Sequence, residues 1–287
     1  MNWSESISRA IEYIENNLTN DITIEDIANH SYISSFYFQK GFSMLCGYSI
    51  SEYIRNRRLS QAGYELLHTD NKIIDISLKY GYDSPDSFTK AFTRFHGSTP
   101  KAVRNGARIK EFVPLKLNLI LKGGYTMEYR IEEKEAFKIV GLKDTFKYET
   151  AYEDVPKIWR KFFMKSTFNK INPKYGINID ANMGCDSFDY IIGDDYNSEL
   201  KVPKDFEILE IPKFTWAIFS CIGKSSITMK ETNEKIFKEW LPNSNDYEIA
   251  AGYNIEMYSN PKDYKNGLDD EKYYCEIWIP IKKKINI

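Results

Sequence analysis

ITIEDIANHSYISSFYFQKGFSMLCGYS at 22–49 and KIIDISLKYGYDSPDSFTKAFTRFHGSTP at 72–100 are two versions of one pattern. Ile27 aligns with Ile76 and Ala28 with Ser77 at an offset of 49. Phe38 then aligns with Phe88, Phe42 with Phe92 and Gly47 with Gly97 at an offset of 50. The extra residue of the second copy falls where its second helix begins. Each copy spells a short helix, a tight turn and a longer helix. Ala28 and Ser77 are small enough for two helices to approach closely. The Phe pairs, four residues apart, bury one face of the longer helix, and Gly47 and Gly97 suit a left-handed C-cap. Ser84 is a candidate N-cap, and Pro85 after it is preorganised for a first helical turn.

The flanks extend this helical reading. Ser4 stands where an N-cap would, before Ile7, Ala10, Ile11, Ile14 and Leu18 at helical spacing. Between the copies, Ile54, Leu59, Ala62, Leu66 and Leu67 form the apolar stripe of a linking helix, with basic residues opposite. Residues 1–52 carry two basic and seven acidic side chains, whereas 53–110 carry eleven basic and five acidic. The second stretch has the charge to meet a polyanion, although a solvated helical surface accounts for it equally well. A helix-turn-helix unit lays its second helix in the major groove. A lone helical hairpin is weak evidence of that role. Two copies held apart by a stiff helix are stronger, because they would meet successive major grooves on one face of the duplex.

Composition excludes other classes. The chain has 287 residues, room for one or two domains; it is 42% hydrophobic, 28% charged and 15% aromatic, with net charge −2. No apolar run approaches the length of a membrane span, and the N-terminus has no signal-peptide pattern. Four scattered cysteines and three histidines assemble no zinc-ligand spacing. A reduced cytoplasmic protein without cofactor or structural metal is the expectation.

Past Arg104 the pattern changes. NGARIKEFVPLKLNLILKGG (105–124) reads as a linker that docks partly on its neighbours. Strand signals follow at 127–131, 138–142, 187–193, 206–211, 215–223, 252–258 and 273–281, interrupted by amphipathic helices at 152–168 and 227–241. This is an α+β pattern of two similar strand–helix–strand halves whose meeting line is a natural groove. No GxSxG, P-loop or GxGxxG signature is present. In the last strand, alternation puts Tyr274, Glu276 and Trp278 on one face and Cys275, Ile277 and Ile279 on the other. A carboxylate between two aromatics is costly to bury unpaired. A bound cation would pair it, with cation–π help; so would a structural ion pair, and an exposed face would need no partner. Glu256, with Tyr258 on its own face, raises the same question more weakly.

The first hundred residues resemble the DNA-binding domain of the AraC/XylS family of bacterial transcription regulators, over about residues 4–106. GYDSPDSFTKAFTRFHGSTPKAVR (81–104) is similar to its signature of a Gly-aromatic turn, Phe-x3-Phe, glycine, Pro and closing Arg. Tyr32 replaces the glycine often found in the first copy's turn. The resemblance implies that the exposed faces of both second helices read double-stranded DNA. By position these offer Ser35, Phe36, Gln39 and Lys40 in the first copy, and Asp86, Ser87, Thr89, Lys90 and Arg94 in the second. Gln39 would suit an adenine edge, Phe36 a thymine methyl, and Lys40 and Lys90 guanine or phosphate. Asp86 would repel phosphates unless it accepts from cytosine.

Residues from about 127 to 284 resemble the GyrI-like small-molecule-binding domain, through MEYRIEEKEAFKIVGL (127–142), the helix around Trp159, EWLPNSNDYE (239–248), IEMY (255–258) and EIWIPI (276–281). The resemblance implies an amphipathic, often cationic effector in the groove, aromatic walls, and a glutamate on the final strand, here Glu276. Trp159, Tyr175, Trp216, Tyr253 and Tyr258 are the aromatics it places near that groove, with core packing the alternative for each. The whole reads as a multidomain chain: an all-α tandem helix-turn-helix domain at 1–106, a linker at 107–124 and an α+β effector domain at 125–287. The implied function is a non-enzymatic transcription regulator in which effector alters operator affinity or contact with RNA polymerase. Two alternatives stand beside it. In one, Glu276 and a tyrosine hydrolyse small electrophiles; in the other, the C-terminal domain only binds protein.

Overall fold

In the computed structural model, residues 3–116, 127–147, 150–166, 171–180, 187–199, 201–244 and 246–284 are described. Helices α1 (Trp3–Asn16), α2 (Ile24–Ser31), α3 (Ser35–Cys46), α4 (Ile50–His68), α5 (Ile73–Lys79), α6 (Pro85–His96) and α7 (Pro100–Arg104) build the N-terminal part. The two hairpins are α2–α3 and α5–α6, joined by α4. Thr23 and Asp26 form a reciprocal capping box on α2, and Ser34 and Ser84 cap α3 and α6 through the backbone N–H groups of Tyr37 and Ser87. Ser4 lies inside the first turn of α1 rather than before it. Gly47 and Gly97 take left-handed C-caps with φ of 80° and 79°.

Tyr32 adopts the left-handed conformation, φ 55°, at the turn where the second copy has Gly81 at φ 81°. The tyrosine ring is 74% exposed, so little burial offsets the strain. Tyr32→Gly should therefore raise unfolding stability by up to about 1 kcal/mol, read as a higher urea midpoint at unchanged slope. A lower midpoint would show that the ring makes a stabilising contact.

The C-terminal part comprises β1 (Tyr129–Lys134), β2 (Phe137–Lys147), α8 (Ala151–Ser166), β3 (Tyr175–Ile179), β4 (Ser187–Asp195), β5 (Glu207–Ile211), β6 (Phe214–Ile222), α9 (Ser225–Lys235), β7 (Tyr247–Ile249), β8 (Tyr253–Tyr258) and β9 (Tyr274–Lys283). A π-helical turn, Ile236–Trp240, prolongs α9. The antiparallel sheet runs β1-β6-β9-β8-β3-β4-β2-β5, with β7 continuing the line of β8 against β9. This order reverses into itself when β1 is exchanged with β5, β2 with β6, β3 with β8 and β4 with β9. The two halves are thus related by a pseudo-twofold axis at the β3–β8 seam, and each lends an outer strand to the other. The seven strand signals match β1, β2, β4, β5, β6, β8 and β9; β3 and the short β7 carried none of the expected strength.

Two cores divide the helical part. Leu59, Ala62, Leu66, Ile76, Phe88, Phe92 and Val103 form a closed cluster under the second hairpin. α1 and the first hairpin have no such independence: Trp3, Ile7, Phe36, Tyr37 and Phe42 share one core with Phe219, Phe237, Cys275 and Ile277 of the C-terminal part. Residues 107–116 of the linker lie along α4, with the Phe112 N–H donating to Ser60 Oγ and the Leu115 N–H to the Tyr53 hydroxyl, each 3.0 Å. The rest of the linker, 117–124, lies outside the described residues.

Candidate functional sites

In α6, the side chains of Asp86, Ser87, Lys90 and Arg94 are exposed and Thr89 is half-buried, while Phe88 and Phe92 of the same helix are fully buried. This face is open to a partner. The matching face of α3 is covered, which corrects the expectation that both second helices are exposed. Ser35 and Phe36 are buried, Phe36 against Asp180 and Phe188 of the C-terminal part, and Gln39 and Lys40 are half-buried. The physical cause is visible at the 50-residue offset. Where α6 presents Asp86, Ser87 and Arg94, α3 presents Phe36, Tyr37 and Met44, and apolar side chains gain about 25 cal/mol for each Å² removed from water.

The basic surface is also smaller than the charge count implies. Arg57 is 3% exposed and grips Glu15 through Nε and Nη2, at 2.7–3.0 Å, while Nη1 donates to the Phe112 carbonyl. Arg58 donates to the carbonyls of Leu18 and Asn20, and Arg104 to that of Asn71. These three hold the helical fold together, so Arg57 and Arg58 do not stand opposite the apolar stripe of α4 as solvated charges. Leu67, counted in that stripe, is 38% exposed.

The residues expected around an effector fall on two faces of the sheet. Tyr175, Trp216 and Tyr253 join Phe137, Phe214 and Trp278 on the face away from α8 and α9, with ring centroids 5.5–6.4 Å apart along the chain of contacts. Glu276 lies at the edge of this cluster and is 3% exposed. Its carboxylate accepts from the Tyr274 hydroxyl and from Trp278 Nε1 at 2.6 Å, and it pairs with Arg130 Nη1 at 2.9 Å. Against the downward pull of burial, the hydrogen bond and charge of Glu276 hold the Arg130 guanidinium above its ordinary range. Glu276 is therefore already supplied with a cation, and Lys134 stacks its ammonium on the Trp278 ring at 4.8 Å.

Trp159 and Tyr258 lie on the opposite, helix-bearing face, at the β3–β8 seam. They contact each other edge-on at 5.3 Å, and Trp159 Nε1 donates to the Tyr190 hydroxyl at 3.2 Å. Both Tyr190 and Tyr258 donate to Glu256 Oε2, at 3.3 and 3.0 Å. Burial, reinforced by the Glu256 charge, pushes both hydroxyls well above the ordinary tyrosine range, so each remains a donor at neutral pH. Gly176 makes room: a Cβ there would stand 2.3 Å from the Tyr190 oxygen and 3.2 Å from the Trp159 ring. Among the described residues no cationic nitrogen lies within 4 Å of Glu256. Alternation along β8 gave Glu256 and Tyr258 a common face and the resemblance named Trp159 of α8, but no signal in the sequence brought in Tyr190, which comes from β4. Among the described residues, no cluster of His, Cys, Asp and Glu has the makings of a metal site, and no helix is long and apolar enough to cross a membrane.

The GyrI-like small molecule binding domain matches residues 127–282, more than half of the chain. The chain belongs to that family. A helix-turn-helix domain matches residues 27–106. The helical part is 42% identical over 101 residues to the HTH-type transcriptional activator AarP of Providencia stuartii, covering 35% of this chain and 75% of AarP. The chain is 30% identical over 138 residues to the right origin-binding protein of Escherichia coli K12, covering 47% of this chain and 46% of that protein, so less than half of that relative is spanned. A solved structure titled as SAV2435 bound to tetraphenylphosphonium is similar at 19% identity and TM-score 0.46, over 54% of this chain and 94% of that one. The GyrI-like chain is thus built as a transcription regulator, with an AraC-type helix-turn-helix part ahead of a small-molecule-binding domain.

Proposed function

We propose that this regulator takes lipophilic organic cations at the β3–β8 seam and reads double-stranded DNA with α3 and α6. The observation that carries the effector half is the Glu256 carboxylate, held by two tyrosine hydroxyls beside Trp159 with no cationic partner within 4 Å. A partly desolvated carboxylate with no cation in direct contact favours one, and aromatic walls favour one that is large and weakly hydrated. Glu276, the residue first expected in this role, already has Arg130. The aromatics Tyr175, Trp216 and Tyr253 support the sheet from its other face, while Trp159 and Tyr258 meet the ligand.

Quenching of tryptophan fluorescence by tetraphenylphosphonium tests this. Binding to the wild type and at least tenfold weaker binding to Glu256→Gln are expected, with the cation recovered chemically unchanged. Equal affinity in the variant would move the site away from the seam. Conversion of small electrophiles would favour a hydrolase, because Glu256 with a neighbouring hydroxyl is also an acid–base pair. No binding of any cation would favour a protein partner for this domain.

On DNA, Lys90 and Arg94 of α6 supply phosphate or guanine contacts, with Ser87 and Thr89 beside them and Asp86 restricted to a cytosine amino group. In α3, Gln39 reads a base edge, flanked by Ser35, Phe36 and Lys40. Arg94→Ala should weaken binding to every duplex and reduce the slope of log affinity against log salt by about one. Gln39→Ala should instead change which sequences a random library yields. Unaltered affinity and unaltered selectivity in both variants would exclude this docking. Contact with RNA polymerase is the route we infer from bound operator to transcription.

A further inference from the structure

The residues of α3 assigned to DNA lie against the seam assigned to the effector. The Phe36 N–H donates to Asp180 Oδ2 at 2.7 Å, the Tyr37 hydroxyl to the Tyr253 carbonyl at 2.5 Å, and Lys40 Nζ to Asn254 Oδ1 at 2.7 Å. Asn254 and Glu256 share a face of β8, one pleat repeat or about 7 Å apart. The Lys40 ammonium is flanked by the rings of Phe36 and Phe237, at 5.5 and 6.0 Å. A cation between aromatics, directed toward the Glu256 strand, is the arrangement proposed above for the effector. Here it is supplied by the chain itself. The close approach depends on Gly41, where a Cβ would fall 2.2 Å from the Trp3 ring and 3.0 Å from that of Phe237.

The docked state is incompletely satisfied. Ser35 Oγ and Gln39 Nε2 are buried without a hydrogen-bond partner among the described residues, and buried orphan donors are costly. Burial also brings the Lys40 ammonium down to about 8, against the opposite pull of the Glu256 charge. The groups that dock poorly are those a duplex would satisfy, with acceptors for Gln39 and phosphate for Lys40.

We infer that α3 is an internal competitor of the effector: with Lys40 in the seam, the first hairpin cannot read DNA, and a lipophilic cation that enters the seam displaces Lys40 and frees α3. This rests on the effector reading above. Because cation and duplex both favour the undocked arrangement, each raises the affinity for the other.

The test uses the full chain and a duplex enriched from random sequence with Asp180→Ala, a substitution that removes the acceptor of the Phe36 N–H and leaves every side chain assigned to DNA, and Glu256, unchanged in identity. Asp180→Ala should bind this duplex at least tenfold more tightly than the wild type, and saturating tetraphenylphosphonium should close most of that gap. Lys40→Met, read only by fluorescence quenching, should bind the cation several-fold more tightly, because its competitor is gone. Equal duplex affinity in wild type and Asp180→Ala, or unchanged or weaker cation binding by Lys40→Met, overturns the inference. If the cation binds the wild type but leaves the gap open, the inference fails and the effector reading survives. If the cation binds no variant, the effector reading fails and the competition fails with it, while a gap between wild type and Asp180→Ala would still show that docking masks α3. Should Asp180→Ala not fold, the Lys40→Met titration decides alone.

Discussion

Arg57→Ala should destabilise the helical part by about 3–5 kcal/mol, the usual cost of leaving one member of a buried ion pair behind. Arg57 is 3% exposed and its guanidinium is the one cation on Glu15 among the described ion pairs, joining α1 to α4 and tying down the Phe112 carbonyl of the linker. The Tyr53 hydroxyl also donates to Glu15 Oε1 at 2.6 Å and would lose part of its setting. Urea unfolding followed by circular dichroism measures the loss. In sequence Arg57 belongs to the basic stretch that suggested DNA, so the salt dependence of DNA binding is the second readout. The folded fraction of Arg57→Ala should keep the wild-type slope, unlike Arg94→Ala. A reduced slope with little loss of stability would place Arg57 on phosphate and contradict its burial.

Glu276→Ala should cost about 2–3 kcal/mol. Most of that comes from Trp278, whose indole N–H is buried and loses its acceptor. Arg130 is half-exposed and is rehydrated once the carboxylate is gone, so its share falls toward that of a surface pair. Glu276→Gln keeps the shape but sets an amide where Tyr274, Trp278 and Arg130 all donate, and it should fall between Ala and wild type. Tetraphenylphosphonium affinity of the folded protein should change less than twofold in either variant. Lost cation binding at unchanged urea midpoint would return the effector site to Glu276.

The two glutamates show where local reading stops. Alternation assigned Glu276 to the face of Tyr274 and Trp278, and Glu256 to the face of Tyr258, and the sheet keeps both assignments. Sequence also raised a structural ion pair as one way to bury Glu276. It could not choose, because Arg130 reaches Glu276 only through β1, which pairs with β6 next to β9 after crossing to the other half. β3 escaped notice for a related reason. Its YGINI stretch alternates Tyr175, Ile177 and Ile179 with Gly176 and Asn178, residues of weak strand propensity. That glycine is required by the Tyr190 hydroxyl and the Trp159 ring, neither of them nearby in the chain.

The sequence alone determined the repeated hairpins, their caps and turns, the linking helix, and the alternation of most strands. All of these depend on interactions within a few residues, where periodicity and backbone preference act directly. Only the tertiary structure decided which carboxylate was left without a cation in direct contact, which arginines were spent on the fold, and that α3 is covered while α6 is open. Those outcomes depend on the distance between groups far apart in the chain, and a period of 2 or 3.6 residues says which way a side chain faces without saying what will stand opposite it.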